Sequence, residues 1–182
     1  NNEGYIRSDN GQDDAGLTTL FDQPGLLDGA YGDLPNDRRH AVKVFGSYQL
    51  TEELNLGINA TWQSGRPKNA FGYHPTDLFA QAYGSESFFA DGELVPRGSL
   101  GTTSAILKID VTASYNIDLS EDYNLTLRAD IFNVLNSDTA SEVQEIYDQE
   151  VGAGSGLVTE NFGLPTNWQT PRFVRLSASL KF

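Results

Sequence analysis

With 182 residues, 12 Lys+Arg against 25 Asp+Glu and a net charge of −13, the chain suits one domain or part of a larger one. That charge has the wrong sign for nucleic acid, whose phosphates need basic surface. The absence of cysteine excludes disulfides and thiolate metal sites and is compatible with bacterial export, and no run approaches the roughly 20 apolar residues of a membrane helix.

A mean hydropathy of −0.39 reads as soluble for every class but one, because barrel strands alternate apolar and polar residues and average out. The opening residues NNEGYIRSDN carry neither Met nor the basic and apolar regions of a signal peptide, so the chain reads as a piece of a longer one.

Taken in order, EGYIR at 3–7 is a fragmentary strand, followed by a long loop over 8–38. In 40–50, Val42, Val44, Tyr48 and Leu50 share a face opposite Lys43, Ser47 and Gln49. After the short turn TEE, residues 54–63 place Leu54, Leu56, Ile58, Ala60 and Trp62 opposite Asn55, Gly57, Asn59, Thr61 and Gln63. A second long loop covers 65–102. Strand 103–119 puts Leu107, Ile109, Val111, Ala113, Tyr115 and Ile117 on one side and Lys108, Asp110, Thr112, Ser114 and Asn116 on the other. A turn near 118–122 leads to 123–135, with Tyr123, Leu125, Leu127, Ala129 and Ile131 opposite Asn124, Thr126, Arg128 and Asp130. The third long loop is 136–167. The last strand, 172–182, alternates Val174, Leu176, Ala178, Leu180 and Phe182 with Arg175, Ser177, Ser179 and Lys181.

These predicted strands exceed the roughly 5–6 residues of ordinary globular ones and match the about 9–11 needed to cross a bilayer at a tilt. Long and short connections alternate strictly, as they do between the two faces of an outer-membrane barrel. Tyr48, Tyr115, Tyr123 and Phe182 fall at the short-turn ends, and Trp62 and Trp168 near the long-loop ends, like the aromatic girdles of such walls.

The long loops hold about 17 of the 25 acidic residues, and loop 136–167 has no Lys or Arg. Solvated loops whose shared charge keeps them off one another is the preferred explanation. Recognition of a cationic or polar external ligand is the functional one, with Asp13, Asp14, Asp22, Asp28, Asp33, Glu142, Glu145 and Asp148 as candidates. SDNGQDD at 8–14 lacks calcium-loop spacing, and His40 and His74 form no zinc-like pair, so neither metal nor cofactor is expected. No nucleophile elbow, phosphate loop or Cys nucleophile argues for an enzyme. Lys108, Asp110, Arg128, Asp130 and Arg175 form a polar-face cluster. A hairpin register in which paired numbers sum to 238 would set Asp110 against Arg128 and Lys108 against Asp130, avoiding opposed aspartates.

LPNDRRHAVKVFGSYQL at 34–50 and LNLGINATWQSGRP at 54–67 resemble late barrel strands of TonB-dependent outer-membrane receptors. LTLRADIFNVLN at 125–136 is similar to the R-x-D-x-F-N-x-x-N pattern of that family's penultimate strand, and RFVRLSASLKF resembles its closing strand, with the Oar-like branch most alike. The resemblance implies an all-β fold: about five or six antiparallel strands of a probable 22-stranded barrel, with short periplasmic turns, long external ligand-facing loops and a plug domain not present here. It implies a Gram-negative outer-membrane location and energy-coupled transport. The partners it implies are outer-membrane lipid, the remaining barrel and plug, the TonB energy-coupling protein through a missing N-terminal part, and the barrel-assembly machinery. That machinery would read Val174, Leu176, Leu180 and Phe182 as a C-terminal signal. A complete small barrel of structural or adhesin type, and a soluble all-β carbohydrate-binding module, are the alternatives.

Overall fold

The computed structural model describes residues 23–149 and 157–182; the strand expected at 3–7 and the candidates Asp13, Asp14 and Asp22 lie outside them. In chain order the described elements are a 3-10 turn at Pro24–Leu27, β1 (Ala41–Gln49), β2 (Leu54–Gln63), α1 (Leu78–Gln81), β3 (Phe89–Ala90), β4 (Glu93–Leu94), β5 (Ile106–Asp118), β6 (Asn124–Phe132), β7 (Ala140–Val143), β8 (Pro165–Trp168) and β9 (Phe173–Lys181). The chain divides into two compact units. A sheet unit contains 40–64, 105–139 and 169–182, and a loop unit contains the described parts of 1–39, 65–104 and 140–168.

The sheet unit is a five-stranded antiparallel meander in the order β1-β2-β5-β6-β9. Among the described residues it is open, with β1 and β9 as its edges. Its registers, Tyr48↔Leu56, Leu56↔Ala113, Ala113↔Ala129 and Ala129↔Leu176, carry one apolar row across all five strands. Because side chains alternate with period two, every such pairing leaves the polar partners on the opposite face. The apolar side chains are exposed, with Val44 at 58%, Val174 at 57% and Leu176 at 76%. A water-facing sheet of this size would bury that face against another layer.

Both short turns close on their own hydrogen bonds. Leu50 N donates to Leu54 O at 2.8 Å, and Thr51 Oγ1 accepts from Leu54 N at 3.0 Å. Leu119 N donates to Tyr123 O at 2.9 Å. This second turn spans 119–123 and sets the β5–β6 register through Asp118↔Asn124, Ile117↔Leu125 and Thr112↔Asp130. The expected sum of 238 is therefore wrong by four, and Asp110 lies nearer Asp130 than Arg128. The observed register gives Ile117 an apolar partner in Leu125, where the expected one opposed it to Glu121. Charge is balanced along each strand and by β9, so it exerts no pull on this hairpin's register.

The loop unit departs further from expectation. The long loops are not held apart by their charge; they pack together around Leu26, Ala30, Phe71, Ala80 and Phe88. Phe71 and Phe88 rings stand 5.2 Å apart, an arrangement worth about 0.5–1.5 kcal/mol beyond the area buried. Phe71 N donates to Glu145 O and Tyr147 N to Phe71 O, while Gly72 and Ser87 exchange backbone bonds, so segments from two loops lie side by side. Trp168, expected just before the last strand, belongs to β8 and pairs with Ala140 of β7.

Gly72 is fixed by its surroundings. A Cβ there would collide with the Asp148 carboxylate and the Phe89 carbonyl. Gly72→Ala is therefore expected to destabilise the loop unit by about 1–3 kcal/mol, read as faster hydrogen exchange or proteolysis within 69–91, with the sheet unit unaffected.

Candidate functional site

Two constellations carry the polar chemistry, one in each unit. On the polar face of the sheet, Asp130 is 2% exposed and bonded from three sides. Thr112 Oγ1 donates to its Oδ1 at 2.6 Å, Arg128 Nε to the same oxygen at 2.9 Å, and Arg175 Nη2 to its Oδ2 at 2.9 Å. Arg175 stands directly across from Asp130 on β9, and Arg128 lies two residues away on the same strand and face. Lys108 Nζ sits 3.1 Å from Asp110, whose other oxygen accepts from Asn133 N at 2.9 Å. All five residues of the expected cluster thus lie on one face, tied by along-strand and β6–β9 pairs.

The R-x-D-x-F-N-x-x-N pattern has a job at each position. Phe132 stacks on Phe173 at 4.5 Å, with the Arg175 guanidinium 5.2 Å from its ring centroid. Asn133 and Asn136 take left-handed backbone conformations at φ 50° and 53°, which Asn tolerates better than most residues. Asn133 Nδ2 donates to Ser137 O and Thr170 O, and Asn136 Oδ1 accepts from Arg172 N. The two asparagines tie the exit of β6 to the entry of β9.

In the loop unit, Arg66 is almost fully buried. Its Nε donates to Glu142 Oε2 at 2.6 Å and its Nη1 to Glu145 Oε1 at 2.8 Å and to Pro67 O at 2.8 Å. Glu145 Oε1 also accepts from Asn69 N at 2.9 Å. Burial pushes the Glu145 carboxyl above its ordinary 4.5, and the Arg66 charge and hydrogen bonds only partly oppose this. The folded state therefore holds that proton more tightly than the unfolded one. The resulting stabilisation is complete below about pH 4.5 and is lost as pH rises through the raised folded value. Glu145→Gln keeps the size and an acceptor, so the stability difference between it and the wild type should grow in the variant's favour with rising pH. A pH series of chemical denaturation curves measures that slope.

Glu145 and Asp148, read from sequence as ligand-facing, are turned inward. Asp148 is 2% exposed and accepts from Tyr73 N and Asp91 N, each at 3.1 Å. Glu142 is held by Arg66, and Asp33 pairs with the exposed Arg39 at 2.8 Å. Asp28 lies 3.1 Å from His74 Nε2. His74 Nδ1 accepts from both Thr76 N and Asp77 N, so the ring proton sits on Nε2 and points at Asp28. Sequence reasoning missed Arg66 and Asn69, and weighed His74 only as half of a zinc pair with His40. The signal for Arg66 was indirect: loop 136–167 has acids but no base, so any buried acid there must find its cation in another segment.

The loop unit also holds an open groove of about 450 Å³, lined among others by Tyr73, Tyr83, Glu86, Ile146, Gln149 and Thr159. Its volume is in the range of small-molecule sites. Among the described residues, no cluster of three or more His, Cys, Asp or Glu side chains could hold a metal ion.

The fold is all-β and antiparallel with almost no helix, and the chain is distantly related to a transport receptor. That relative is the TonB-dependent transporter Oar of Myxococcus xanthus, 28% identical over 217 aligned residues that cover 100% of this chain and 20% of Oar. The chain thus spans about a fifth of the length of the curated protein it matches. No family model matches the chain, and no solved structure does.

Proposed function

We propose that the sheet unit is five consecutive up-and-down strands in the wall of an outer-membrane receptor for TonB-dependent, energy-coupled transport. In this reading the loop unit is the receptor's outward, ligand-facing part. The observation that carries the proposal is the continuous apolar row across β1, β2, β5, β6 and β9, left exposed on strands of 9 to 13 residues. Lipid satisfies such a face where water does not. The edges at β1 and β9 would pair with further wall strands, since unpaired backbone groups in hydrocarbon cost several kcal/mol each. The charged polar face would line the lumen and meet a plug, with Asp130 pinning three strands in register. The remaining expected partners, the TonB coupling protein and the barrel-assembly machinery, belong to the same proposal, and the relationship to Oar supports it. Phe182 and the apolar row of β9 would serve that machinery as an assembly signal.

Fractionation of cells making the full-length protein tests this reading. The protein is expected in the outer membrane, extractable only with detergent and migrating as a compact species until boiled. Recovery as a stable protein without detergent would reject it.

A further inference from the structure

We infer that the apolar face of the sheet, at its short-turn end, binds a phospholipid with a primary-ammonium headgroup, such as phosphatidylethanolamine, whose acyl chain lies in a dent across β5, β6 and β9. The inference rests on the sheet unit being part of an outer-membrane wall, and it assigns that wall a particular lipid and a place for it.

The dent is a cavity of about 540 Å³ in the sheet unit, a volume in the range of small-molecule sites. One alanine from each strand, Ala113, Ala129 and Ala178, makes its floor, and the larger Tyr115, Leu127 and Leu176 stand around them. The registers Ala113↔Ala129, Ala129↔Leu176 and Leu127↔Ala178 bring these side chains together on the apolar face. Ala113 and Ala129 lie five residues from the strand ends at Asp118 and Asn124. That is about 17 Å along the strand and, at a tilt of about 45°, about 12 Å in depth, within the leaflet next to the short turns. Lipid tails are as apolar as the wall, so the dent selects by shape and van der Waals contact, and the headgroup supplies the rest of the discrimination.

The short turns decide which headgroup. Asn116 N donates to Glu53 O, and Asn124 pairs with Lys181, so both turns and the last residues of β9 lie at one end of the sheet. Segments 50–55, 116–124 and 180–182 hold Glu52, Glu53, Asp118, Glu121 and Asp122 against Lys181. All five acids are exposed. Glu53 accepts from Thr51, and Asp118 accepts from Asn124. Among the described residues, the Glu52, Glu121 and Asp122 carboxylates make no hydrogen bond or ion pair. Five acids against one cation repel the anionic headgroup of phosphatidylglycerol, whereas the free carboxylates accept from the three N–H donors of an ammonium. The choline headgroup carries a positive charge but no N–H, so phosphatidylcholine falls between the two.

Native mass spectrometry of the full-length protein, released from detergent micelles and titrated with lipids of identical acyl chains, tests the assignment. Phosphatidylethanolamine should be held about fivefold more tightly than phosphatidylglycerol, with phosphatidylcholine between them. Ala129→Phe fills the dent and should lower phosphatidylethanolamine occupancy severalfold. Ala60→Phe, on the same apolar face but outside the dent, should leave it unchanged. The triple variant Glu52→Gln, Glu121→Gln, Asp122→Asn should bring phosphatidylethanolamine down to the level of phosphatidylcholine. All variants should still migrate as the compact species before boiling, which separates a lost site from a lost fold. Phosphatidylglycerol bound as tightly as phosphatidylethanolamine, or phosphatidylethanolamine binding indifferent to both the dent and the turn variants, would overturn the inference. So would an Ala129→Phe protein that loses a second copy of itself rather than a lipid. An outer-membrane protein with no lipid preference removes this inference alone, whereas a protein that needs no detergent removes the wall reading with it.

Discussion

Replacing Arg66 by Met should be the most damaging single change in the loop unit, costing about 3–5 kcal/mol. The side chain is buried with its charge answered by Glu142 and Glu145, and one Nη1 proton tied to the Pro67 carbonyl. Methionine fills most of the volume but leaves the Glu145 carboxylate buried with only the Asn69 amide. The cost is that of a stranded charge more than of a lost attraction, and this dictates the control. Arg66→Met combined with Glu145→Gln removes the charge with its partner, and should recover a substantial part of the loss. Hydrogen exchange within 66–72 and 142–148 of the full-length protein reads both variants locally. If the single and double variants exchange equally fast, Glu145 is not the group that Arg66 compensates.

The second large effect concerns the apolar face. Val111 sits near the middle of β5, flanked by Ile58 on β2 and Ile131 on β6. In a membrane wall it lies near the bilayer midplane, where an arginine costs about 2–4 kcal/mol. Val111→Arg should therefore shift the unfolding midpoint of the vesicle-reconstituted protein strongly downward. Asn59→Lys provides the control, because Asn59 faces the polar side opposite Asp110 and a cation there gains a partner. Its effect should stay within about 0.5 kcal/mol. Equal effects from the two substitutions would mean that the sheet's faces do not meet different solvents.

The strands were legible in the sequence because their signal is local. Alternation in 54–63 located β2 to the residue, and the other four strands of the sheet fell within three residues of the expected ends. The R-x-D-x-F-N-x-x-N pattern was visible as a motif, although the left-handed turns at Asn133 and Asn136 that explain it were not. Register failed because opposed charges were weighed across β5 and β6 alone. Asp130 is answered by Arg175 from β9, a strand more than 40 residues away in sequence, and by Arg128 on its own strand. The loop unit failed for a related reason: its apolar residues, such as Leu26, Phe71, Ala80 and Phe88, are scattered among polar ones without a period. Only three-dimensional proximity turns them into a core. The acidic excess was read as exposure, whereas Glu145 and Asp148 are buried beside donors that no local pattern announces.

Because this chain has no cysteine, single cysteines placed at each position from 107 to 113 can carry a nitroxide once any cysteine elsewhere in the full-length protein has been replaced. In the full-length protein reconstituted in lipid vesicles, residues 107, 109, 111 and 113 should be relaxed by oxygen, which concentrates in hydrocarbon. Residues 108, 110 and 112 should be shielded from it, giving a period of two along β5. Positions 109 and 111 shielded from oxygen, or relaxed instead by a water-soluble nickel chelate, would contradict a lipid-facing wall.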